Sequence, residues 1–224
     1  MALGSSVSAS AAHKIEIDLR RAIVALELQP GMRLSEQDIA NRYGVSRQPA
    51  REALLALSRT RLVDVQPQSG TTVSKISVAK MMQARFVREA IEVAIVQRAC
   101  ESFDPPFRTR IDDLIEMQQR SAAAGDHDRF RHFDELFHVA LAEGAGCPLA
   151  WHALADIKSH MDRVCQLTIP DVDAMMPLVA QHKAIMAAVD RRNPAAAAKA
   201  MKHHLTEIMR ALPQVEAEHP DLFE

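Results

Sequence analysis

Three histidines and one aspartate of this sequence occupy positions where the helical pattern predicts apolar, inward-facing side chains. Asp134 and His138 are four residues apart, so both lie on one helix face. His182 and His204 each interrupt the apolar stripe of a later helix. Both lie about 11 residues, or ~16 Å of helix, from the turn at Asn193. An antiparallel pairing of those two helices would bring the two imidazoles side by side.

One carboxylate and three imidazoles form a ligand set suited to Zn²⁺, and the set leaves coordination positions open for water or another ligand. A buried aspartate without a partner would be costly, and a cation offsets that cost. The sequence therefore predicts a divalent metal site made by Asp134, His138, His182 and His204. Zinc is favoured, although nickel, manganese and iron accept the same ligands. A metal with a purely structural role is the alternative.

Two further polar residues could line the same cavity. Arg88 lies at the edge of an apolar helix face and could bind a carboxylate through two parallel hydrogen bonds. The alternative for Arg88 is an ion pair with Glu92, one helical turn away. His160 falls on an inward-facing stripe, where a single histidine can equally be a hydrogen-bonded core residue. Arg88 and His160 are thus candidates for contacts with a small ligand.

A second chemistry is indicated by residues 34–73, which have the order of a winged helix-turn-helix. A short helix from Glu36 to Arg42 is followed by a tight turn at Gly44, and a second helix starts at Ser46, an expected N-cap. Two β-prone runs, 62–65 and 71–74, are joined by a turn-rich segment. Such a unit places one helix in the major groove of double-stranded DNA and a hairpin against the adjacent phosphates.

The second helix of this unit carries Arg47, Gln48 and Arg51 outward. Two exposed arginines alone would fit a solvated face equally well, but the surrounding pattern favours DNA contact. Residues 12–76 hold ten Lys and Arg against seven Asp and Glu, whereas the remaining residues are net acidic. This small basic excess suits a protein that meets phosphate with one end, and it favours two copies of the unit, that is, a dimer.

Length and composition limit the class of protein. The 224 residues have room for two small domains, and no run of about 18 apolar residues predicts a membrane span. The first 11 residues are small and polar, which indicates a disordered leader and not a signal peptide. Three cysteines without metal-type spacing are typical of reduced thiols in a cytoplasmic protein.

Helical periodicity and breaks at proline, glycine and asparagine define the rest of the chain. A first helix is predicted from His13 to about Glu27, and six more helices follow the wing, over about 78–101, 106–124, 126–143, 148–167, 171–190 and 194–212. The predicted fold is mainly α, with an N-terminal winged helix-turn-helix and an antiparallel helical bundle. The expected divisions are a leader (1–11), a DNA-binding domain (12–76), a metal-binding and dimerisation domain (77–212) and an irregular tail (213–224).

Both segments resemble the GntR superfamily of bacterial transcription regulators, in the FadR-like branch that carries an FCD ligand-binding domain. The resemblance runs from about Ala12 to Leu212 and rests on motifs in both halves. These are Pro30-Gly31, Leu34-Ser35-Glu36, Gly44-Val45-Ser46-Arg47, Pro49, Arg51-Glu52-Ala53-Leu54, Leu62-Val63, Pro67, Gly70, Arg88-Glu89-Ala90-Ile91-Glu92, Asp134-x3-His138, His182 and His204. The six-helix body is similar to the shorter, VanR-like form.

This resemblance implies a homodimer that binds a short palindromic operator. It implies that Arg47 and Arg51 contact bases, that Ser46 and Gln48 assist, and that Gly70 lets the wing approach the minor groove. It also implies that the Asp134 and histidine set binds metal, that Arg88 faces the effector, and that the effector is a small carboxylate. Three positions depart from the family pattern: Gln37, Arg61 (usually glycine) and Cys147.

The sequence thus predicts a ligand-responsive transcription regulator, with repression as the favoured direction, and not an enzyme. The competing hypothesis is a metal-dependent hydrolase joined to a DNA-binding unit, in which the metal activates water. The pattern assigns neither a general base nor a nucleophile for such a reaction, so the regulator is preferred.

Overall fold

The computed structural model of the protein describes residues 3–66, 70–168 and 172–224. Its contacts divide the chain into two compact units. The first, here called the winged unit, comprises Met1–Met81, Ser159–Gln166 and Glu216–Glu224. The second, here called the bundle, comprises Met82–Lys158 and Leu167–Val215. Within the described residues, none of the helices combines the length and the apolar character needed to cross a membrane.

The winged unit is a small helical core closed by a three-stranded antiparallel sheet with strand order β1-β3-β2. Its elements are α1 (Leu3–Val24), β1 (Arg33–Leu34), α2 (Glu36–Tyr43), α3 (Arg47–Arg59), β2 (Val63–Gln66) and β3 (Gly70–Val73). The α3 helix packs on α1, α2 and β2. Ile15, Ile23, Leu54, Leu57 and Leu62 are buried in this core. The predicted winged helix-turn-helix fold is confirmed, and part of its predicted hairpin turn, residues 67–69, lies outside the described residues.

Local sequence explains the ends of these helices. The Ser35 side chain accepts a hydrogen bond from the Asp38 amide and caps α2. Gly44 ends α2 with φ 64, a left-handed conformation that glycine adopts without steric cost. Ser46 is the N-cap of α3, as expected, with an extended backbone, but within the described residues its side chain makes no capping hydrogen bond.

Two features of the winged unit differ from expectation. The α1 helix begins at Leu3, inside the segment expected to be a disordered leader. Alanine has the highest helix propensity, and the alanines and absence of proline in this segment allow the helix to extend. The two-residue strand β1 pairs with β3 and was not predicted, because two residues are too few to show a period-two pattern.

The six predicted body helices are all present. They are α4 (Val78–Glu101), α5 (Pro105–Ala123), α6 (His127–Gly144), α7 (Pro148–Thr168), α8 (Val172–Asp190) and α9 (Pro194–Glu218). Several start at the predicted breaks: Pro105 occupies the first turn of α5, and the Asn193 side chain accepts from the Ala196 amide at the start of α9. The α5 helix packs on α6 and α8 around a buried apolar core.

The C-terminal segment corrects the expected irregular tail. The α9 helix continues through Pro213 to Glu218, and a short 3-10 helix follows at Pro220–Leu222. Phe223 is buried, and the Ile76 amide donates to Leu222 O at 2.8 Å. Residues 216–224 therefore belong to the winged unit, which the sequence order did not indicate.

Candidate metal centre and nucleic-acid interface

Three helices of the bundle bring together the four side chains that the sequence selected. Asp134 and His138 come from α6, His182 from α8 and His204 from α9, and one ligand atom of each lies within 4.8 Å of all the others. His204 Nε2 lies 3.2 Å from His138 Nε2 and 3.3 Å from His182 Nε2. Asp134 Oδ1 lies 3.4 Å from His182 Nε2. All three imidazoles are buried.

The other ring nitrogen of each imidazole faces an oxygen atom. The Nδ1 atoms lie 2.7 Å from Gln118 Oε1 (His182), 3.0 Å from Gln181 Oε1 (His204) and 2.5 Å from Glu92 Oε2 (His138). The Gln118 amide is oriented by its own Nε2, which donates to Phe133 O at 3.0 Å. The hydrogen bonds of His182 and His204 require a proton on Nδ1, whereas the His138 Nδ1–Glu92 contact is close but lacks hydrogen-bond geometry, and the accepting Nε2 beside Arg88 places the His138 proton on Nδ1. In each neutral ring, Nε2 then carries a lone pair.

Three lone pairs therefore converge on one point beside a carboxylate oxygen. Burial, followed by nearby positive charge, holds the pKa of His182 and His204 well below the ordinary value. These two rings therefore stay neutral, and protonation does not relieve the repulsion between the lone pairs. Ligand atoms bound tetrahedrally at 2.0–2.1 Å would be roughly 3.3 Å apart, close to the nitrogen–nitrogen distances seen here. The residues present thus fit a divalent cation.

Glu92 and Arg88 extend the cluster from α4. The Arg88 Nε atom donates to Glu92 Oε1 at 2.5 Å, and Arg88 Nη2 lies 3.3 Å from His138 Nε2. Burial raises the pKa of Glu92, but the charge of Arg88 and the close contacts with Arg88 and His138 outweigh burial and hold the pKa well below its usual range. Burial raises the pKa of Asp134, and the charge of Arg88 opposes that shift. Arg88 thus forms the ion pair with Glu92 that one hypothesis predicted, and it also lies at the cluster, while its contact with an effector stays a prediction.

Glu92 and Trp151 were not predicted as site residues. Glu92 is 2% exposed on an otherwise apolar face of α4, which is the signal that could have identified it. Trp151, the single tryptophan of the chain, has its indole parallel to the His138 ring at a centroid distance of 5.5 Å. Its Nε1 donates to Glu135 Oε1 at 3.2 Å. This position makes Trp151 a fluorescent reporter of the cluster.

His160 does not join this cluster, so its expected effector contact is wrong. It belongs to the winged unit, where Nε2 lies 3.0 Å from Thr60 O and Nδ1 lies 2.9 Å from Arg163 Nη2. Both ring nitrogens are therefore engaged by protein groups, as in a hydrogen-bonded core histidine. The apolar stripe on α7 predicted correctly that His160 points inward, but not which core it enters.

The winged unit carries an open groove of about 930 Å³ between α2, α3 and the sheet. Arg33, Arg47, Arg51 and Gly70 are among its lining residues. Arg47 is 65% exposed and pairs with Glu36 at 2.8 Å. Arg33 was not selected from the sequence, because a single arginine before the Leu34-Ser35-Glu36 motif carries no periodic signal. The groove therefore presents three cationic side chains.

The remaining predicted DNA contacts border the same face. Ser46 and Gln48 are exposed at the start of α3, and Gln48 Nε2 donates to Glu52 at 2.8 Å. Gly70 has φ 94 and begins β3 opposite Gln66. Only glycine accepts that backbone conformation readily, and its lack of a side chain allows close approach of another backbone.

A winged helix-turn-helix with an arginine-lined face, joined to a helical domain, defines the class of winged-helix transcription regulators. The family model for bacterial regulatory proteins of the gntR family matches residues 11–73, and the model of the FCD domain matches residues 83–207. The chain belongs to the GntR family, with an FCD domain in its C-terminal part. The resemblance stated from the motifs is therefore confirmed, as is the prediction that the chain is a regulator and not an enzyme.

Known proteins agree with this assignment. The chain is 35% identical over 205 residues to the HTH-type transcriptional repressor RspR of Escherichia coli K12, covering 92% of this chain and 90% of that protein. Its fold is similar to that of E. coli McbR/YncC, with a TM-score of 0.79 and 20% sequence identity, and the match covers 91% of this chain and 97% of that chain. It is also similar to a putative GntR regulator from Rhodococcus sp. RHA1 (TM-score 0.73, 25% identity, 93% and 98% coverage).

Proposed function

We propose that this protein is a ligand-responsive repressor that binds a palindromic operator as a homodimer and holds a divalent metal and a small carboxylate in its bundle. The observation that carries the proposal is the convergence of three Nε2 lone pairs beside Asp134. Lone pairs that converge in this way repel one another, and a cation bound between them is favourable. The repressor direction is supported by the name of the similar RspR.

Operator binding is assigned to Arg47 and Arg51, with Ser46, Gln48 and Gly70 around them. Arg51 is exposed, and among the described residues it has no hydrogen-bond or ion-pair partner. Each arginine contact to a base contributes about 1–3 kcal/mol of discrimination. Arg47→Ala with Arg51→Ala should therefore weaken binding to an operator selected from random duplex DNA by roughly a hundredfold or more.

The matched control for this experiment replaces two exposed bundle arginines, Arg120 and Arg129, by alanine. The control removes the same net charge and should leave operator affinity within about twofold. Retention of full affinity by the Arg47 and Arg51 variant, with native circular dichroism, would refute the assignment of the DNA face.

The metal is assigned to Asp134, His138, His182 and His204, with zinc favoured. When bound, it supplies positive charge for a ligand carboxylate. Coordination through His138 Nε2 would use the lone pair that Arg88 now contacts at 3.3 Å. Arg88 would then lose its contact with His138 Nε2, and its guanidinium could bind a carboxylate oxygen of the ligand instead. We therefore expect small carboxylates to bind after the metal. Titration of zinc and then citrate, followed by Trp151 fluorescence, tests this order; citrate binding that is equally tight in chelator contradicts it.

A purely structural metal is distinguished by the same titration. If zinc only supports the fold, chelation should unfold the bundle, and no organic acid should alter Trp151 emission in the zinc-bound protein. If zinc serves a ligand site, the chelated protein should retain its helical circular dichroism, and at least one acid in a panel of small carboxylates should bind only the zinc form.

Dimerisation is assigned to one face of α4. Met82 and Phe86 are 41% and 75% exposed, and Ala90 and Ala94 continue this exposed apolar stripe at four-residue spacing. A stripe on one helix face suits a two-fold contact with a second copy of the chain. Phe86→Glu should give a monomer by sedimentation equilibrium. The control Leu149→Glu changes an 80% exposed leucine on α7 and should stay dimeric; a dimeric Phe86 variant overturns this interface.

A further inference from the structure

A short part of α7 belongs to the winged unit and binds it at two backbone positions. His160 Nε2 lies 3.0 Å from the carbonyl oxygen of Thr60, the residue that caps α3. Arg163 Nη1 donates to the carbonyl oxygen of Ser74, just beyond β3, at 2.7 Å. Arg163 Nη2 lies 2.9 Å from His160 Nδ1 and joins the two contacts. His160 and Arg163, here called the α7 clasp, therefore connect the end of α3, the proposed recognition helix, to the end of β3, a strand of the wing.

The hydrogen-bond roles in the α7 clasp are fixed by chemistry. A guanidinium only donates, so His160 Nδ1 accepts from Arg163. The neutral ring then carries its proton on Nε2 and donates it to the Thr60 carbonyl. Carbonyls at a helix C-terminus lack partners within the helix, so this donor satisfies one of them.

Arg163 is an expensive residue to bury. Its side chain is fully buried, and among the described residues its Nε atom has no hydrogen-bond partner and its two hydrogen-bond partners are neutral groups. Burial lowers the pKa of Arg163 to about 10, and only the charge of Glu224 opposes this. An apolar side chain of similar length would fill this space at lower cost to the fold. Such a replacement would lose the two hydrogen bonds that Arg163 donates to Ser74 O and His160 Nδ1.

A strained turn lies directly beside the contact on Thr60. Arg61 has φ 57, a left-handed conformation that is unfavourable for a residue with a Cβ atom. Such strain persists when surrounding contacts hold the backbone in place. The Leu62 amide donates to Leu57 O within this turn. The His160 side chain stabilises the turn from α7 through its hydrogen bond to Thr60 O.

We propose that His160 and Arg163 are positioning residues for DNA recognition, because they set the orientation of the recognition helix relative to the wing. This inference rests on the proposed DNA-binding function of the winged unit. Among the described residues, the α7 clasp donates to the backbone at Thr60 and Ser74, neither of which lines the groove. It determines how well the protein distinguishes its operator from other DNA.

The test measures the ratio of dissociation constants for an unrelated duplex and the selected operator. Non-specific affinity depends on charge facing phosphate and not on the relative angle of helix and wing. His160→Ala and Arg163→Met should each lower this ratio about tenfold, the effect of one directed hydrogen bond. Affinity for the unrelated duplex should stay within about twofold in His160→Ala. His160→Gln, which keeps a donor and an acceptor, should recover most of the ratio.

The control on the same helix is His152→Ala, which changes an exposed histidine of the bundle. A second arm adds Arg61→Gly, which relieves the strained turn without touching α7. If His160 holds that turn, the His160→Ala loss should be smaller in the Arg61→Gly background. Equal losses in both backgrounds would contradict the positioning role at Thr60.

Two outcomes separate this inference from the proposed function. If the wild-type protein distinguishes an operator and both clasp variants do so equally well while folded, the α7 clasp is structural and the inference fails. If the wild-type protein selects no operator at all, the proposed function itself fails. A loss that affects both duplexes equally, in proportion to an unfolded fraction, leaves the ratio unchanged and overturns the positioning role.

Discussion

The buried histidines of the two units, three in the bundle and His160 in the winged unit, use the same side chain in opposite ways. In the bundle, each imidazole presents Nδ1 to an oxygen acceptor and leaves the Nε2 lone pair facing its neighbours. In the winged unit, His160 donates through Nε2 and accepts through Nδ1. The exposed fractions are nearly equal, 7% for His204 and 8% for His160.

Burial therefore does not distinguish a proposed metal ligand such as His204 from a core histidine such as His160, whereas the tautomer does. The tautomer is set by the group that faces the second ring nitrogen. Gln118, Gln181 and Glu92 provide acceptors, which make the bundle histidines electron-pair donors toward a cation. Arg163 provides a donor, which makes His160 a hydrogen-bond donor toward a carbonyl.

The largest expected effect is the loss of metal affinity when one ligand is removed. A four-ligand zinc site has a binding free energy of about 10–16 kcal/mol, so one ligand accounts for on the order of several hundredfold in affinity. His204→Ala should weaken zinc binding by that amount in competition with a chromophoric chelator. His160→Ala, equally buried, should leave zinc affinity unchanged. Similar losses of zinc affinity in the two variants would contradict the assignment of His204, and not His160, as a metal ligand.

The carboxylate behind His138 should have the next largest effect. Glu92→Gln keeps an oxygen near His138 Nδ1 but removes the charge that makes the imidazole a stronger ligand. Such partners typically contribute 10–100-fold in metal affinity, so we expect roughly a 30-fold loss in the same competition assay. The control is Glu89→Gln, a half-buried glutamate of α4 that pairs with Arg85. Zinc affinity in Glu92→Gln equal to that of Glu89→Gln would contradict the role of Glu92.

Periodicity and chain breaks were sufficient to predict most of the fold. The prediction for α4 matches its residues, and α5 to α8 were predicted to within a residue or two, because Pro, Gly and Asn mark their ends. The extension of α9 through Pro213 was missed, since a proline normally indicates a helix end. The placement of residues 216–224 in the winged unit depends on contacts distant in sequence, which no local pattern records.

The four members of the proposed metal site could be selected from the sequence because each polar residue interrupts an apolar stripe. The same rule also selected His160, because a stripe shows that a side chain points inward but not what it meets there. Glu92, Gln118 and Gln181 decide the tautomers, and their roles depend on helix packing that the sequence does not encode locally. The proposed ligand set was therefore predictable from the sequence, whereas the physical reason for it lies in how the helices pack.

Arg88 should affect carboxylate binding without affecting zinc. Its guanidinium lies beside His138 but is not one of the four proposed ligands. Arg88→Lys keeps the charge and loses the planar, two-point geometry, so we expect about a tenfold loss in affinity for whichever small carboxylate binds the zinc form. Zinc affinity should change less than about twofold. Isothermal titration with zinc first and the acid second measures both, and a large loss in the zinc step alone would place Arg88 among the supports of the metal.

The smallest expected effect is the pH dependence contributed by His160. Burial, and then the charge of Arg163, lower the pKa of His160; Lys80 acts in the same direction, while Thr60 O and Glu224 oppose it. In the unfolded chain this histidine titrates near its ordinary pKa of about 6.5. Below that pH the unfolded chain binds the proton more readily, so stability is fully present above pH 6.5 and is lost as the pH falls.

This loss is at most about 1.4 kcal/mol for each pH unit, and it can be isolated by comparing variants. Urea midpoints measured at pH 7.5 and 5.5 should fall less for His160→Gln than for the wild type. The depressed pKa values of His182 and His204 act equally in both proteins and cancel in the difference. His152→Gln, on the same helix but exposed, is the control. If the urea midpoints of His160→Gln and the wild type have the same pH dependence, protonation of His160 does not affect stability. The proposed difference between His160 and the bundle histidines would then be wrong.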